Sequence, residues 1–71
     1  MKIVKGTLLR VDDRRKGSFK GIALRDFDTK KEVFYPIAVA QKIEVRGLNT
    51  NWFEGEEIPC RNTLCKVERV K

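Results

Sequence analysis

Two phenylalanines and a set of nearby cations are the residues of this chain best suited to a defined chemistry. Phe19 and Phe34 stand in stretches typical of strands, with Arg10 and Lys20 expected beside the rings and Arg14-Arg15-Lys16 shortly before Phe19. Aromatic rings stack on unpaired bases, while arginine and lysine pair with phosphates. A surface combining them would suit a single-stranded nucleic acid.

The basic run at positions 14–16 lies in residues 12–18, a segment with the composition of an exposed loop. Its three cations would clamp phosphates, with the amides of Gly17 and Ser18 as neutral donors. The alternative is a solvated loop that Asp12 and Asp13 partly neutralise.

The net charge of +6 is concentrated in one half of the sequence. Residues 1–31 hold ten basic and four acidic residues, whereas residues 32–71 hold six of each. An excess of this size on a small domain indicates an anionic partner.

The sequence gives little support for catalysis or for metal binding. The chain has no histidine, which removes the commonest general base and the commonest metal ligand, and its carboxylates form no recognisable acid–base set. Cys60 and Cys65 would face each other across a hairpin if Asn62-Thr63 were a two-residue turn, but this spacing alone is a poor zinc signature. We therefore expect no enzyme activity, no metal and no cofactor, with both thiols reduced and contributing packing.

Short apolar stretches separated by polar turns predict five strands and no long helix. The predicted strands are residues 2–11, 19–27, 32–35, 56–61 and 64–70. Pro36 is expected to end the third strand or push it to an edge. Residues 37–46 stay undecided between a helical turn over 38–43 and extended chain.

These elements predict an all-β single domain over residues 1–71, a five-stranded Greek-key barrel of the OB-fold type. A Src-homology-like small barrel is the alternative. Alternation places Phe19 opposite Ile22 and Leu24, and Phe34 opposite its own neighbours in the sequence, so that both rings would be exposed unless the barrel uses them as core. Of Trp52 and Phe53, one is expected to plug the barrel end, while the other could contact a partner.

Four segments resemble, in order, the motifs of the cold-shock domain, an OB-fold family. They are Gly6-Thr7-Leu8-Leu9-Arg10-Val11, Lys16-Gly17-Ser18-Phe19-Lys20-Gly21-Ile22, Glu32-Val33-Phe34-Tyr35-Pro36-Ile37 and Glu54-Gly55-Glu56-Glu57-Ile58. TRAM domains, related OB-folds that bind RNA, resemble Gly21-Ile22-Ala23 and Val33-Phe34-Tyr35-Pro36 about as well, although they lack so long a segment between Pro36 and Gly55.

The resemblance implies single-strand binding, with Phe19 at the family's first stacking ring and Phe34 at the ring of its third strand. Arg10 stands where the family has a tryptophan, Gly21 where it has a second ring, and Pro36 where it has a histidine. Because several rings are missing, the resemblance implies weaker stacking or more reliance on phosphate contacts.

Together these features predict a non-catalytic module that binds single-stranded RNA, or less favourably DNA, as a chaperone or as a regulator of transcription or translation. The alternative is a small protein-binding regulator or inhibitor of the kind that mobile elements encode. A cytoplasmic location is expected, with no membrane and no small-molecule substrate, because no signal region or long apolar run occurs. The predicted nucleic-acid contacts are Lys5, Arg10, Arg14, Arg15, Lys16, Phe19, Lys20, Arg25 and Phe34.

Overall fold

Apolar side chains at alternate positions fold this chain into a curled antiparallel sheet, seen in a computed structural model that describes residues 1–45 and 53–70. The all-β, small-barrel prediction is confirmed. Those residues include no helix that could cross a lipid bilayer. The described strands are β1 (Lys2–Ile3), β2 (Leu8–Asp13), β3 (Gly17–Ala23), β4 (Phe27–Asp28), β5 (Phe34–Val45), β6 (Glu57–Arg61) and β7 (Cys65–Arg69).

Five of these strands form one sheet in the order β6-β5-β3-β2-β7, and β1 pairs with β4 in a separate ribbon. Each of the first three long strands, β2, β3 and β5, pairs with the next long strand along the chain, and β7 returns to pair with β2. Only the turn at residues 62–64 joins β6 to β7, although they are the two edges of the sheet, so the sheet must curl. This strand order is that of the Src-homology-like barrel, which the sequence left as the alternative.

One face of the curled sheet encloses the core. Leu9 and Val11 of β2 point inward, as do Phe19 and Ala23 of β3, while Arg10 points to solvent. Burying these aliphatic and aromatic side chains supplies the main stabilisation of so small a domain. The buried hydrophobic residues are Ile3, Leu9, Val11, Phe19, Ala23, Phe27, Tyr35, Ile37, Val39, Ile58, Cys60 and Cys65.

Gly21 allows β3 and β5 to approach each other closely at the centre of this core. A Cβ atom at this position would collide with the side chain of Ile37, and it would lie 3.0 Å from the Ala38 carbonyl oxygen and 3.1 Å from the Phe19 ring. The Ile37 side chain, with the Phe19 ring beside it, therefore fills the space that a side chain at position 21 would take.

Two predicted strands are each divided in the structure. Residues 2–11 are interrupted at a turn in which Gly6 has a φ of 86° and Thr7 donates its N–H to the Val4 carbonyl at 3.1 Å. Residues 19–27 are interrupted after Ala23, because the following residues leave the main sheet and β4 pairs with β1.

The third predicted strand does not end at Pro36. It continues to Val45, so the helical turn considered for residues 38–43 does not form. The Pro36 carbonyl accepts the N–H of Leu24 at 2.8 Å, which shows that the peptide groups of Pro36 point toward β3 and away from β6. Pro36 lies directly opposite Pro59 of β6, and their missing N–H groups remove no bond between these two strands.

We expect Gly21→Ala to lower the free energy of unfolding by about 1–3 kcal/mol, because the added methyl group overpacks the core against Ile37. Urea unfolding measures the loss. The variant carrying both Gly21→Ala and Ile37→Ala is the control, since it removes the colliding side chain. The two single losses should sum to more than the loss in the double variant. Strictly additive losses would show that the close approach is not the cause.

Candidate nucleic-acid interface

The turn at residues 14–16, between β2 and β3, is held by the buried carboxylate of Asp13. Its Oδ1 atom accepts the backbone N–H groups of Arg15 at 2.8 Å and Lys16 at 3.0 Å. Its Oδ2 atom accepts the thiol of Cys65 at 3.2 Å. The backbone that carries the predicted phosphate clamp therefore has a fixed conformation, and the side chains of Arg14 and Arg15 extend from it into solvent.

This turn packs against the turn between β6 and β7, and a cleft opens where the two meet β5. The Arg14 N–H donates to the Leu64 carbonyl at 3.1 Å, and the Lys16 Nζ donates to the Pro59 carbonyl at 3.2 Å. The cleft, called here the basic cleft, has a volume of about 220 Å³. It is lined by Asp13, Arg15, Lys16, Phe34, Pro59, Arg61 and Leu64.

Phe34 gives the basic cleft an accessible aromatic ring. Its side chain is 53% exposed, as its alternation with the buried Tyr35 predicted. Arg61 lies directly opposite it across the β5–β6 pair, with the guanidinium carbon 6.0 Å from the ring centroid, within cation–π range. A ring and three cations thus meet at one cleft, and three of these four residues, Arg15, Lys16 and Phe34, were predicted contacts.

Arg10 and Lys20 form a second cationic position, on the outer face of the sheet. They lie directly opposite each other on β2 and β3. Like charges so placed are unfavourable unless a counter-charge is near, and Glu68 lies on the other side of Arg10. These two residues share the β2–β3 hairpin, residues 8–23, with the turn at 14–16.

The remaining predicted cations lie outside the basic cleft. The guanidinium of Arg25 forms an ion pair with Glu32 at 3.1 Å, and the hydrogen bond and charge of Glu32 raise the pKa of Arg25. Lys5 lies in the turn before β2, where its backbone N–H donates to the carboxylate of Asp26 at 2.7 Å. Neither residue lines the basic cleft.

The prediction that Phe19 stacks on a base is wrong. Its side chain is fully buried, because β3 turns the face with Phe19, Gly21 and Ala23 inward. The outer face of that strand carries Ile22 and Leu24 instead. Both faces of β3 are partly apolar, so alternation alone did not show which one points to the core.

Arg61 is the contact that sequence reasoning missed. It lies in the half of the chain that has no net charge, so charge clustering gave no signal for it. The position of Arg61 against Phe34 follows only from the register of β5 with β6, which places the two residues opposite each other.

Trp52, considered as a barrel plug or a partner contact, lies outside the described residues. Phe53 does not plug the barrel, since its side chain is 69% exposed. The ammonium of Lys42 lies 5.5 Å from the centroid of the Phe53 ring. This pair belongs to the β5–β6 connection and not to the lining of the basic cleft.

Comparisons with protein-family models, with curated proteins and with solved structures find no match to this chain. The cold-shock resemblance therefore stays a prediction, and the functional proposal rests on the geometry of the basic cleft.

Both cysteines are free and buried, and the thiol of Cys65 contacts both Asp13 and Cys60. They do not face each other across a hairpin ladder, because β6 and β7 pair with different strands. A hydrogen bond with Cys60, burial, and the hydrogen bond and charge of Asp13 raise the pKa of the Cys65 thiol. The thiol therefore stays protonated at neutral pH and can donate its hydrogen bond to Asp13.

We expect both thiols to react very slowly with an aromatic disulfide reagent at neutral pH in the folded protein. Burial limits access to both of them, and the raised pKa of Cys65 withholds the reactive thiolate there. In denaturant both should react at the rate of a free cysteine peptide. Rapid modification of either thiol without unfolding would contradict the packing described here.

Phe19→Ala should destabilise the protein far more than Phe34→Ala. Truncating the buried ring of Phe19 should lower the free energy of unfolding by about 3–5 kcal/mol, enough to unfold much of so small a domain. Truncating the half-exposed ring of Phe34 should cost about 1 kcal/mol or less. Thermal and urea unfolding followed by circular dichroism measures both. Comparable losses in the two variants would contradict the assignment of the two rings.

Proposed function

We propose that this chain is a non-catalytic module that binds single-stranded nucleic acid through the basic cleft. The observation that carries the proposal is the position of Phe34, an exposed ring in the same cleft as Arg15, Lys16 and Arg61. The ring offers a stacking surface to one base, and the three cations offer pairing to the adjoining phosphates.

Both the form of the basic cleft and its ring favour a single strand over a duplex. The face of an aromatic side chain stacks only on a base that is not stacked on its neighbours. In an unpaired strand, a base can leave its neighbours at little cost in free energy. The cleft is small, with a volume of about 220 Å³, and two turns and the β5–β6 pair line it. It suits one extended strand whose bases turn toward the protein.

The β2–β3 hairpin supports the same proposal through its charge. Five of the predicted cationic contacts lie on it, two on the outer face of its strands and three in its turn. We propose that this cationic hairpin attracts the strand and that the basic cleft holds it, as part of a cytoplasmic chaperone or a regulator of transcription or translation acting on RNA more than on DNA. The five residues are Arg10, Arg14, Arg15, Lys16 and Lys20.

Binding of a labelled ten-nucleotide strand, followed by anisotropy over a range of salt concentrations, tests the proposal. If about four phosphates are neutralised, log K should fall with log salt at a slope of about −3. Arg15→Ala should make that slope shallower by about 0.7, because one phosphate contact is lost while the backbone bond to Asp13 remains. Phe34→Ala should weaken binding by about 1–3 kcal/mol and leave the slope unchanged.

Lys30→Ala is the matched control. It removes the same charge from an exposed position in the turn at 29–31, away from the basic cleft, and should change the slope less than Arg15→Ala does. Absence of binding at low salt would refute the proposal. A folded Phe34→Ala variant with unchanged affinity would remove the stacking ring from it.

A protein-binding regulator is the second candidate function, and one observation favours it. Leu8 and Ile22 lie opposite each other on the outer face of the sheet, and Leu24 continues the same face. All three side chains are exposed, and together they form an apolar strip of the kind found at protein contacts. If no oligonucleotide binds, this strip becomes the leading candidate surface, for a regulator or inhibitor that uses the outside of the barrel.

A further inference from the structure

A second groove shares Phe34 and Pro59 with the basic cleft, so these two residues separate the two spaces. It has a volume of about 440 Å³, a size usual for pockets that hold small organic groups. It is lined by Arg25, Phe34, Tyr35, Pro36, Glu57, Ile58 and Pro59. None of the cations that line the basic cleft lines this groove.

One part of this groove, formed by Phe34, Pro36 and Pro59, has an apolar surface. Phe34 and Pro36 stand two residues apart on β5 and share its outer face, and Pro59 lies opposite Pro36 on β6. The exposed rings of Phe34 and Pro59 offer stacking and van der Waals contact to both planar and aliphatic groups, and the buried Pro36 closes the groove between the strands. An unpaired base next to the one at the basic cleft would find such a surface here.

The charged side chains of the groove are one acceptor, Glu57, and one donor, Arg25, which also forms the ion pair with Glu32. Glu57 follows along the same face of β6 from Pro59, and its negative charge helps Glu32 to raise the pKa of Arg25. An ionised carboxylate only accepts hydrogen bonds, and a guanidinium only donates them. A planar group with both donors and acceptors on its edge matches this pair.

We infer that the groove binds one unpaired nucleobase and that Glu57 makes it selective for bases with an exocyclic amino group. The inference rests on the proposed function, since the base belongs to a strand held in the basic cleft. Cytosine, adenine and guanine each present an amino group that a carboxylate accepts from. Uracil and thymine have no exocyclic amino group, and their one donor on this edge, the ring N3–H, lies between two carbonyl oxygens that the carboxylate repels.

Oligonucleotides of ten cytidines, ten adenosines and ten uridines, compared by anisotropy at one salt concentration, test this inference. The protein should bind the cytidine and adenosine strands about ten times more tightly than the uridine strand, the worth of one charge-assisted hydrogen bond. Glu57→Gln should bring these ratios close to one, because a glutamine amide both donates and accepts and so serves either kind of base.

Glu54→Gln is the matched control, since it removes the same charge from the turn at 54–55 and not from the groove. It should raise the affinity for all three strands alike and leave their ratios unchanged. Equal binding of the three strands by the unmodified protein, or a preference that survives Glu57→Gln, would overturn the inference and leave the proposed function standing. Failure to bind any of the strands would overturn both.

Discussion

A carboxylate buried at the end of a strand needs hydrogen bonds to offset its lost hydration, and Asp13 obtains them from two other parts of the chain. The turn at residues 14–16 donates two backbone amides to it, and β7 donates the thiol of Cys65. The same residue thus ends β2, shapes the turn that carries the cations and ties that turn to the last strand. Asp13 therefore fixes the backbone of the turn that forms one wall of the basic cleft.

Much of the sheet could be predicted from local pattern, because strands of β-branched and aromatic residues separated by polar turns are recognisable over a few positions. The choice between the OB-fold and the Src-homology-like barrel could not be predicted in this way. It depends on the pairing of β7 with β2, two strands that are distant in the sequence. The continuation of β5 beyond Pro36 could not be predicted for a related reason. Whether a proline ends a strand depends on which way its peptide groups face, and this follows from the neighbouring strands.

The two phenylalanines show what the alternation of side chains along a strand can and cannot predict about burial. For Phe34 it predicted the face opposite Tyr35, and the structure, in which Tyr35 is buried and Phe34 exposed, shows that this face is the outer one. For Phe19 alternation was not sufficient, because apolar residues occupy both faces of β3. The close approach of Gly21 to Ile37, a contact between strands, decides that the ring side faces the core. The cations adjacent in sequence were found easily, whereas Arg61 depends on register and was not.

The proline pair between β5 and β6 also affects how molecules of this protein meet one another. β6 is an edge strand of the five-stranded sheet, and Pro59 stands at its centre with no amide hydrogen to offer outward. The carbonyl oxygen of Pro59 accepts a hydrogen bond from the Lys16 ammonium. A strand from another molecule would meet an interrupted row of donors and a positive charge, which are two features that discourage edge-to-edge aggregation. Two copies of the domain can therefore lie side by side without their sheets joining at this edge.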